Sequence, residues 1–185
     1  VFTTMWVFGK PAKILFFKKH IKNLIKSTKT YKINSKTIKK NILKIIKLNL
    51  KNNKKYNHLL RIAVNNKVIS FSLRKRLTPK QKFSIELINY KRIQPEFKNL
   101  KYKKILKYLS KINTINSDIF LCVNKKILES GTSNVLFVKK NKIFSPIKNF
   151  YKGITFKFFE KEVDKIVKKN IFINTLNNYD EIILI

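Results

Sequence analysis

Acidic residues, glycine and cysteine are all scarce in this chain of 185 residues. Nine Asp and Glu stand against 43 Lys and Arg, and no carboxylate precedes Glu86. A chain with only three glycines is expected to keep them where the backbone needs a positive φ or a close approach, and they are Gly9, Gly131 and Gly153. The single cysteine, Cys122, excludes a disulfide framework and favours a reducing, cytoplasmic location.

Long apolar runs are also absent. No segment approaches the roughly 18 consecutive apolar residues that a bilayer-spanning helix requires, so the sequence predicts no membrane span. The apolar opening Val1–Gly9 lacks a preceding basic segment, which argues against a signal peptide. Apolar residues still make up 44% of the chain, which is enough for a packed core.

The formal net charge of +34 has two explanations. A basic surface attracts phosphates, which would suit a nucleic-acid-binding protein without a cofactor. Only four basic residues are arginines, however, and arginine is the usual reader of phosphates and bases. Lys, Asn, Ile and Phe fill the chain throughout, as an AT-rich genome would encode. The composition therefore favours codon bias, and we expect no nucleic-acid partner.

The hydrophobic pattern predicts a mixed α+β chain. Apolar residues at helical spacing predict helices over Phe17–Thr28, Tyr102–Ile112 and Phe156–Val167, and a further helix around Ile38–Leu50 that Ser35 is placed to cap. Short apolar or alternating runs predict strands over Val1–Val7, Leu59–Val64, Lys67–Leu73, Phe83–Ile93, Ile119–Val123, Lys126–Glu129, Asn134–Val138, Lys142–Phe144 and Glu181–Ile185. A break at Pro95 suggests two subdomains, residues 1–94 and a larger 95–185.

Several short motifs follow one another in the second half. They are Phe97-Lys-Asn-Leu-Lys-Tyr102, Asp118-Ile-Phe-Leu121, Ile127-Leu-Glu-Ser-Gly-Thr-Ser-Asn-Val-Leu-Phe137, Ile143-Phe-Ser-Pro146, Gly153-Ile-Thr155 and Asp180-Glu-Ile-Ile183. In order and spacing they resemble the class IV aminotransferase family, which includes branched-chain and D-amino-acid aminotransferases and 4-amino-4-deoxychorismate lyase. A looser match in the first half runs through Phe2–Met5, His20–Leu24 and Leu60–Ile62.

This resemblance implies fold type IV of the pyridoxal-phosphate (PLP) enzymes, with two small α/β subdomains and a homodimer. Full-length members extend beyond both ends, so the chain is expected to be truncated. The implied substrates are an amino acid and a 2-oxo acid. The alternative reaction is the lyase that forms 4-aminobenzoate and pyruvate in folate synthesis. The Thr132-Ser133 pair leans towards the lyase, or towards D-amino-acid enzymes.

The resemblance also assigns the reactive residues. Lys98 matches the lysine that holds PLP as a Schiff base and moves the proton at the α-carbon of the substrate, with Lys101 as the second choice. Glu129 matches the acid that keeps the pyridine nitrogen protonated. On the same loop, Gly131 is expected to allow a close approach to the ring, and Asn134 to fix the loop.

The remaining assignments concern the other ends of the cofactor and the substrate. Ile154 and Thr155 match a phosphate-binding turn before a helix, where backbone amides and the Thr hydroxyl are the donors. Tyr102 is expected to donate a hydrogen bond to the phenolic oxygen of the cofactor. Arg61 matches a basic strand residue on the substrate side in some relatives, and its alternative interpretation is a surface hairpin charge.

Two positions depart from the family pattern. Asn23 stands where members carry an arginine for the phosphate, and Thr3 stands where a glutamate is usual. Lys22 or Lys26 would have to supply the missing positive charge, although a lysine does not replace the planar fork of an arginine. These departures motivate a further hypothesis, that the chain is an inactive relative.

Overall fold

Strands outnumber helices in the computed structural model, which describes residues 1–34, 36–78, 80, 83–163 and 165–185. The chain divides into two units. The first unit comprises Val1–Leu77 with Phe97–Leu100, and the second comprises Thr78–Glu96 with Lys101–Ile185. The mixed α and β class is confirmed, whereas a subdomain boundary between residues 94 and 95 stays a prediction.

The first unit is an antiparallel sheet with two helices. Its strands lie in the order β2-β1-β3-β4. Residues that alternate along β1 and β3, such as Met5 and Leu60, pack in one cluster with Ile21 and Ile42 of the helices. The elements are β1 (Phe2–Gly9), β2 (Lys13–Ile14), α1 (Phe17–Thr30), α2 (Ile38–Asn49), β3 (Tyr56–Val64) and β4 (Ile69–Lys75). The predicted cap Ser35 lies outside the described residues.

The second unit contains two four-stranded sheets, ordered β11-β7-β6-β5 and β10-β9-β8-β12. Its strands are β5 (Ser84–Asn89), β6 (Ser117–Val123), β7 (Lys126–Ser130), β8 (Val135–Lys139), β9 (Lys142–Ser145), β10 (Ile166–Lys168), β11 (Ile171–Phe172) and β12 (Glu181–Leu184). Its helices are α3 (Lys103–Leu109), α4 (Ile154–Glu162) and a 3₁₀ segment, Ile173–Asn178. The described residues contain no helix with the length and hydropathy of a membrane span.

Strand β8 lies between two apolar clusters. Val135 and Phe137 pack with Phe120 in one, while Leu136 packs with Phe150 and Phe156 in the other. Burial of both faces explains why the sequence of β8 is a continuous apolar run rather than an alternating one. The strand that follows the candidate acid Glu129 in sequence is therefore firmly anchored in the unit.

Two-residue turns connect β6 to β7 and β8 to β9. Asn124 and Lys125 have φ values of 50° and 61°, and Lys140 and Asn141 have 47° and 58°. Two successive positive φ values are the conformation that matches the right-handed twist of a hairpin. The first turn sets the register in which Cys122 lies opposite Ile127, and a register shift between Leu121 and Cys122 then places Leu121 opposite Glu129.

The last predicted helix was wrong in both of its bounds. Helix α4 begins at Ile154, and its C-cap Val163 is extended, with φ −100° and ψ 129°. Ile166–Lys168 then forms β10, which pairs in parallel with Ile143–Ser145 of β9. The apolar residues that suggested a longer helix instead join a sheet, because a strand partner distant in sequence is available.

Candidate active site

Glu129 is a buried acid near the end of β7, with only 3% of its side chain exposed. Its Oε1 accepts a hydrogen bond of 2.9 Å from Nε of Arg92, and its Oε2 accepts a longer one of 3.4 Å from Nη2 of the same guanidinium. The backbone N–H of Tyr151 donates to Oε2, also at 3.4 Å. Burial of a charged carboxylate costs free energy unless the group is paired with a cation or hydrogen-bonded, and Glu129 is both.

The loop after Glu129 is held by a second buried acid, Asp118. Its Oδ2 accepts hydrogen bonds from the hydroxyls of Ser130 (2.8 Å) and Thr132 (2.7 Å). Its Oδ1 accepts from the N–H of Ile119 at 2.7 Å. Asp118 therefore fixes the path of the chain from Ser130 onward and engages the Thr132 hydroxyl that the sequence suggested for substrate selection.

Gly131 lies close to its neighbours on β6. A Cβ added there would lie 2.7 Å from Cγ1 of Ile119 and 3.0 Å from Oδ1 of Asp118, so these side chains would have to shift. The N–H of Gly131 donates to the carbonyl of Ile119 at 2.8 Å. In the structure the close approach of Gly131 is to β6, and its expected close approach to a cofactor ring stays a prediction.

Asn134 connects the start of β8 to the segment before α4. Its Nδ2 donates to the carbonyl of Tyr151, and its Oδ1 accepts from the N–H of Gly153 at 2.9 Å. A Cβ on Gly153 would lie 2.8 Å from that Oδ1, so a side chain there would have to displace the Asn134 amide from these hydrogen bonds. Asn134 fixes a loop, as expected, but the loop is the one that leads into α4.

The first turn of α4 presents backbone donors. Gly153 is the N-cap, and neither a side-chain cap nor an acidic residue neutralises this end of the helix. The first N–H groups of a helix have no acceptor within it and suit an anion such as a phosphate. Ile154 and Thr155 are the first two residues of the helix, so Thr155 is not its cap residue.

The second unit also contains Tyr102, which precedes α3 as its N-cap. Its side chain is 9% exposed. The carbonyl of Tyr102 accepts the N–H of Leu106 at 3.1 Å, which begins the helix. A buried tyrosine keeps a polar hydroxyl at the end of an apolar ring, so it suits a site that is partly shielded from water.

Lys98, in the first unit, is partly buried, whereas Lys101, in the second unit, is exposed. The carbonyl of Lys98 accepts the N–H of Phe2 at 2.9 Å. Its Nζ lies 5.2 Å from the centre of the Phe2 ring, and Cζ of Arg61 lies 4.4 Å from the same centre. Two positive charges thus share one aromatic neighbour, and partly desolvated lysines beside other cations are the ones that serve as nucleophiles.

The two positions that depart from the family pattern also lie in the first unit. Oγ1 of Thr3 and Nδ1 of His20 are 2.7 Å apart, within hydrogen-bond distance. Burial, and secondarily the charge of Lys98, lowers the pKa of His20 to about 4. Asn23 is partly buried on α1, while Lys22 and Lys26 are exposed, and compensation by either lysine stays a prediction.

The low pKa of His20 predicts a specific acid sensitivity. The folded protein keeps His20 neutral down to about pH 4, whereas the unfolded chain takes up a proton near the ordinary pKa of 6.5. Stability is therefore unaffected above about pH 6.5 and falls by up to about 3 kcal/mol as the pH drops towards 4. His20→Gln should flatten this part of the profile in urea unfolding. An unchanged slope in the variant would contradict the assignment.

Solved structures share this fold. A branched-chain aminotransferase from Thermoproteus uzoniensis matches with a TM-score of 0.77 at 12% identity, covering 100% of this chain and 73% of its own. The Escherichia coli branched-chain aminotransferase matches at 0.75 and 14%, with 100% and 73% covered. A protein provisionally named a 4-amino-4-deoxychorismate lyase, from Haemophilus somnus 129PT, matches at 0.72 and 18%, with 100% and 94% covered. At these identities the likeness establishes the fold.

The family is established by the sequence. The family model described as amino-transferase class IV matches residues 1–185. No curated protein sequence matches the chain. The chain belongs to the class IV aminotransferase family, whose members are PLP-dependent aminotransferases and lyases. The expected fold type IV is thereby confirmed.

The second unit has side chains and amides that fit parts of PLP. The cofactor needs an acid for its ring nitrogen and donors for its phosphate. Glu129 is a buried carboxylate with hydrogen-bonding capacity at both oxygens, and the first turn of α4 lacks a capping side chain. The N–H of Gly153 already bonds to Asn134, so the donors left for a phosphate begin at Ile154.

Sequence reasoning assigned no role to Arg92 and only a motif position to Asp118. Both are buried and both make the hydrogen bonds that shape the Glu129 region. Scarcity was the available signal, since the chain has four arginines and nine carboxylates. Their partners are distant in sequence, so no local pattern could have shown which residue each one contacts.

Proposed function

We propose that this chain is a PLP-dependent aminotransferase that moves an amino group between an amino acid and a 2-oxo acid. The observation that carries the proposal is the buried Glu129, which lies near the end of β7, just before a glycine-containing loop, and is held by hydrogen bonds on both oxygens. The matching family position provides the acid for the pyridine nitrogen. Burial supports this role, because an ionised carboxylate acts most strongly on a nearby charge when water is excluded.

Each protein group has a limited task in this proposal. Bound PLP supplies an electron sink for the bond that breaks at the α-carbon of the substrate. Glu129 accepts the ring N–H and keeps that proton on the nitrogen. Lys98 holds the cofactor through Nζ and then carries the proton at the α-carbon, while Ile154 and Thr155 bind the phosphate through their amides.

The remaining assignments are proposals of the same kind. Tyr102 donates to the phenolic oxygen of the cofactor, and Arg61 attracts the carboxylate of the substrate. The active form is a homodimer, as the resemblance to the family implies. Asn23 stands where other family members carry an arginine. We expect the phosphate to be bound less tightly than in those members, because a bidentate guanidinium is the stronger phosphate partner.

The alternative reaction is that of 4-amino-4-deoxychorismate lyase. The Thr132-Ser133 pair beside Asn134 favours it, and the match to the Haemophilus somnus protein is compatible with it. Both reactions use the same cofactor and the same lysine. Which of the two reactions the protein catalyses therefore depends on the residues that contact the substrate and not on Glu129 or α4.

The first experiment is an absorbance titration of the purified protein with PLP. We expect a visible band that saturates at one cofactor per chain and persists after gel filtration. Folded protein that develops no band would contradict both reactions together. The apparent dissociation constant from this titration is the reference value for variants of residues near Glu129.

A product assay separates the two reactions. The aminotransferase should convert a branched-chain amino acid only when a 2-oxo acid is present as the acceptor. The lyase should release pyruvate and 4-aminobenzoate from 4-amino-4-deoxychorismate with no acceptor added. Acceptor-independent release of those products would contradict the aminotransferase and support the lyase.

A further inference from the structure

The ion pair between Arg92 and Glu129 is buried on both sides, with exposed fractions of 8% and 3%. Transfer of two charges from water to the interior costs free energy that their attraction often fails to recover. Apolar side chains of similar volume would commonly give an equally stable interior. Stability alone therefore does not explain why an arginine, scarce in this chain, occupies this position.

Arg92 reaches Glu129 from a backbone that is itself fixed. It lies just after β5, which pairs in parallel with β6. Two residues earlier, the N–H of Tyr90 donates to the carbonyl of Cys122 on β6 at 3.0 Å. The guanidinium is thus attached to the same sheet that carries Glu129 on β7, and it approaches the carboxylate from a defined direction.

The two carboxylate oxygens of Glu129 are held unequally. Oε1 accepts the short 2.9 Å bond from Nε of Arg92, whereas Oε2 accepts two bonds of 3.4 Å, from Nη2 of Arg92 and from the N–H of Tyr151. The carbonyl of Tyr151 in turn accepts a hydrogen bond from Nδ2 of Asn134. One hydrogen-bonded chain therefore connects Arg92, Glu129 and the segment that leads into α4.

We propose that Arg92 is a positioning residue for Glu129, one that orients its carboxylate and moderates how strongly that carboxylate holds a cofactor's ring-nitrogen proton. The inference rests on the proposed function of Glu129. A guanidinium that shares the negative charge of a carboxylate makes its oxygens weaker acceptors for a second cation. Arg92 thereby adjusts the electron-withdrawing strength of a pyridinium ring through Glu129.

Three variants and one control test this role. Arg92→Met removes the charge and keeps the length of the side chain, and Arg92→Lys keeps the charge but loses the fork. The double variant Arg92→Met with Glu129→Gln removes both charges, which guards against unfolding caused by an unpaired buried carboxylate. Arg74→Met, at an exposed position on β4, is the matched control.

The readouts are the PLP dissociation constant and the pH at which the visible band of bound PLP titrates. For Arg92→Met we expect roughly a tenfold to hundredfold weaker affinity, the scale of one hydrogen bond to a charged group, because the loss of the bonds that orient Glu129 outweighs the stronger acceptance by its unshared carboxylate. The titration midpoint should move by about one pH unit, because the acceptor strength of Glu129 has changed. Arg92→Lys should recover part of both effects, and Arg74→Met should match the parent protein.

A purely structural role gives a different result. If folded Arg92→Met bound PLP with the parental affinity and titrated at the parental pH, the inference would be overturned while the proposed function stood. Parental behaviour of the double variant would instead contradict the role of Glu129 itself, and the inference with it. If the parent protein itself bound no PLP, the proposed function would fail, and the inference with it. The parent titration separates these two failures before any variant is made.

Discussion

Replacing Lys98 with alanine is expected to abolish covalent attachment of PLP and to lower turnover by about three orders of magnitude or more. The lysine is assigned two tasks, holding the cofactor and carrying a proton, and proton transfer by a positioned group alone contributes about 10²–10⁴-fold. Reduction of the PLP-loaded protein with borohydride, followed by peptide mass spectrometry, should place the cofactor mass on the peptide that contains Lys98.

Lys101→Ala is the matched control for this experiment. Lys101 is three residues away and exposed, whereas Lys98 is partly buried beside Phe2. Its replacement should leave turnover within about twofold, as for most surface substitutions. Loss of the cofactor mass in Lys101→Ala, with Lys98→Ala still labelled, would reverse the assignment of the two lysines.

Replacing Phe137 with alanine should destabilise the protein by about 3–5 kcal/mol, the usual cost of deleting a buried aromatic ring. Phe137 is fully buried on β8. Its ring centre lies 6.4 Å from that of Phe120 and 5.1 Å from that of Tyr179, so the deletion leaves a cavity between two rings. Urea unfolding, monitored by circular dichroism, measures the loss.

Phe172→Ala provides the comparison, because Phe172 is 36% exposed at the end of β11. Its loss should cost roughly 1 kcal/mol, since less apolar surface returns to water and no enclosed cavity forms. Equal losses in the two variants would show that β8 is not at the centre of the core of the second unit. The ratio of the two losses therefore tests the packing that anchors the strand after Glu129.

Several individual strands and helices of this protein could be predicted from the pattern of residues along the chain. The strands around Ile119, Ile127, Leu136 and Ile143 were confirmed, because each combines a short apolar run with polar turn residues. The helix over Phe17–Thr28 was also confirmed, with two further residues at its end. The helix predicted to end at Val167 was wrong, since the pairing of Val167 with Phe144 depends on a strand distant in sequence.

The candidate site likewise has features that the sequence predicted and features that only the fold supplied. Motif spacing identified Glu129, Gly131, Asn134 and Gly153 as special positions, and their burial or close contacts are now explained. The contacts that these residues make could not be predicted from the sequence. Asp118 reaches Thr132 across a hairpin, and Gly131 lies so close to Ile119 that a side chain at position 131 would force Ile119 to shift.

The sequence by itself determined the family, the α+β class and the order of the motifs, because these depend on residue type and on spacing along the chain. Only the tertiary structure decided that Arg92 is the partner of Glu129 and that Asn134 holds the segment before α4. Arg92 and Glu129 are 37 residues apart, and residues that distant meet only through the pairing of strands. The scarcity of carboxylates marked Glu129 as a residue to examine, and the fold then supplied its partner.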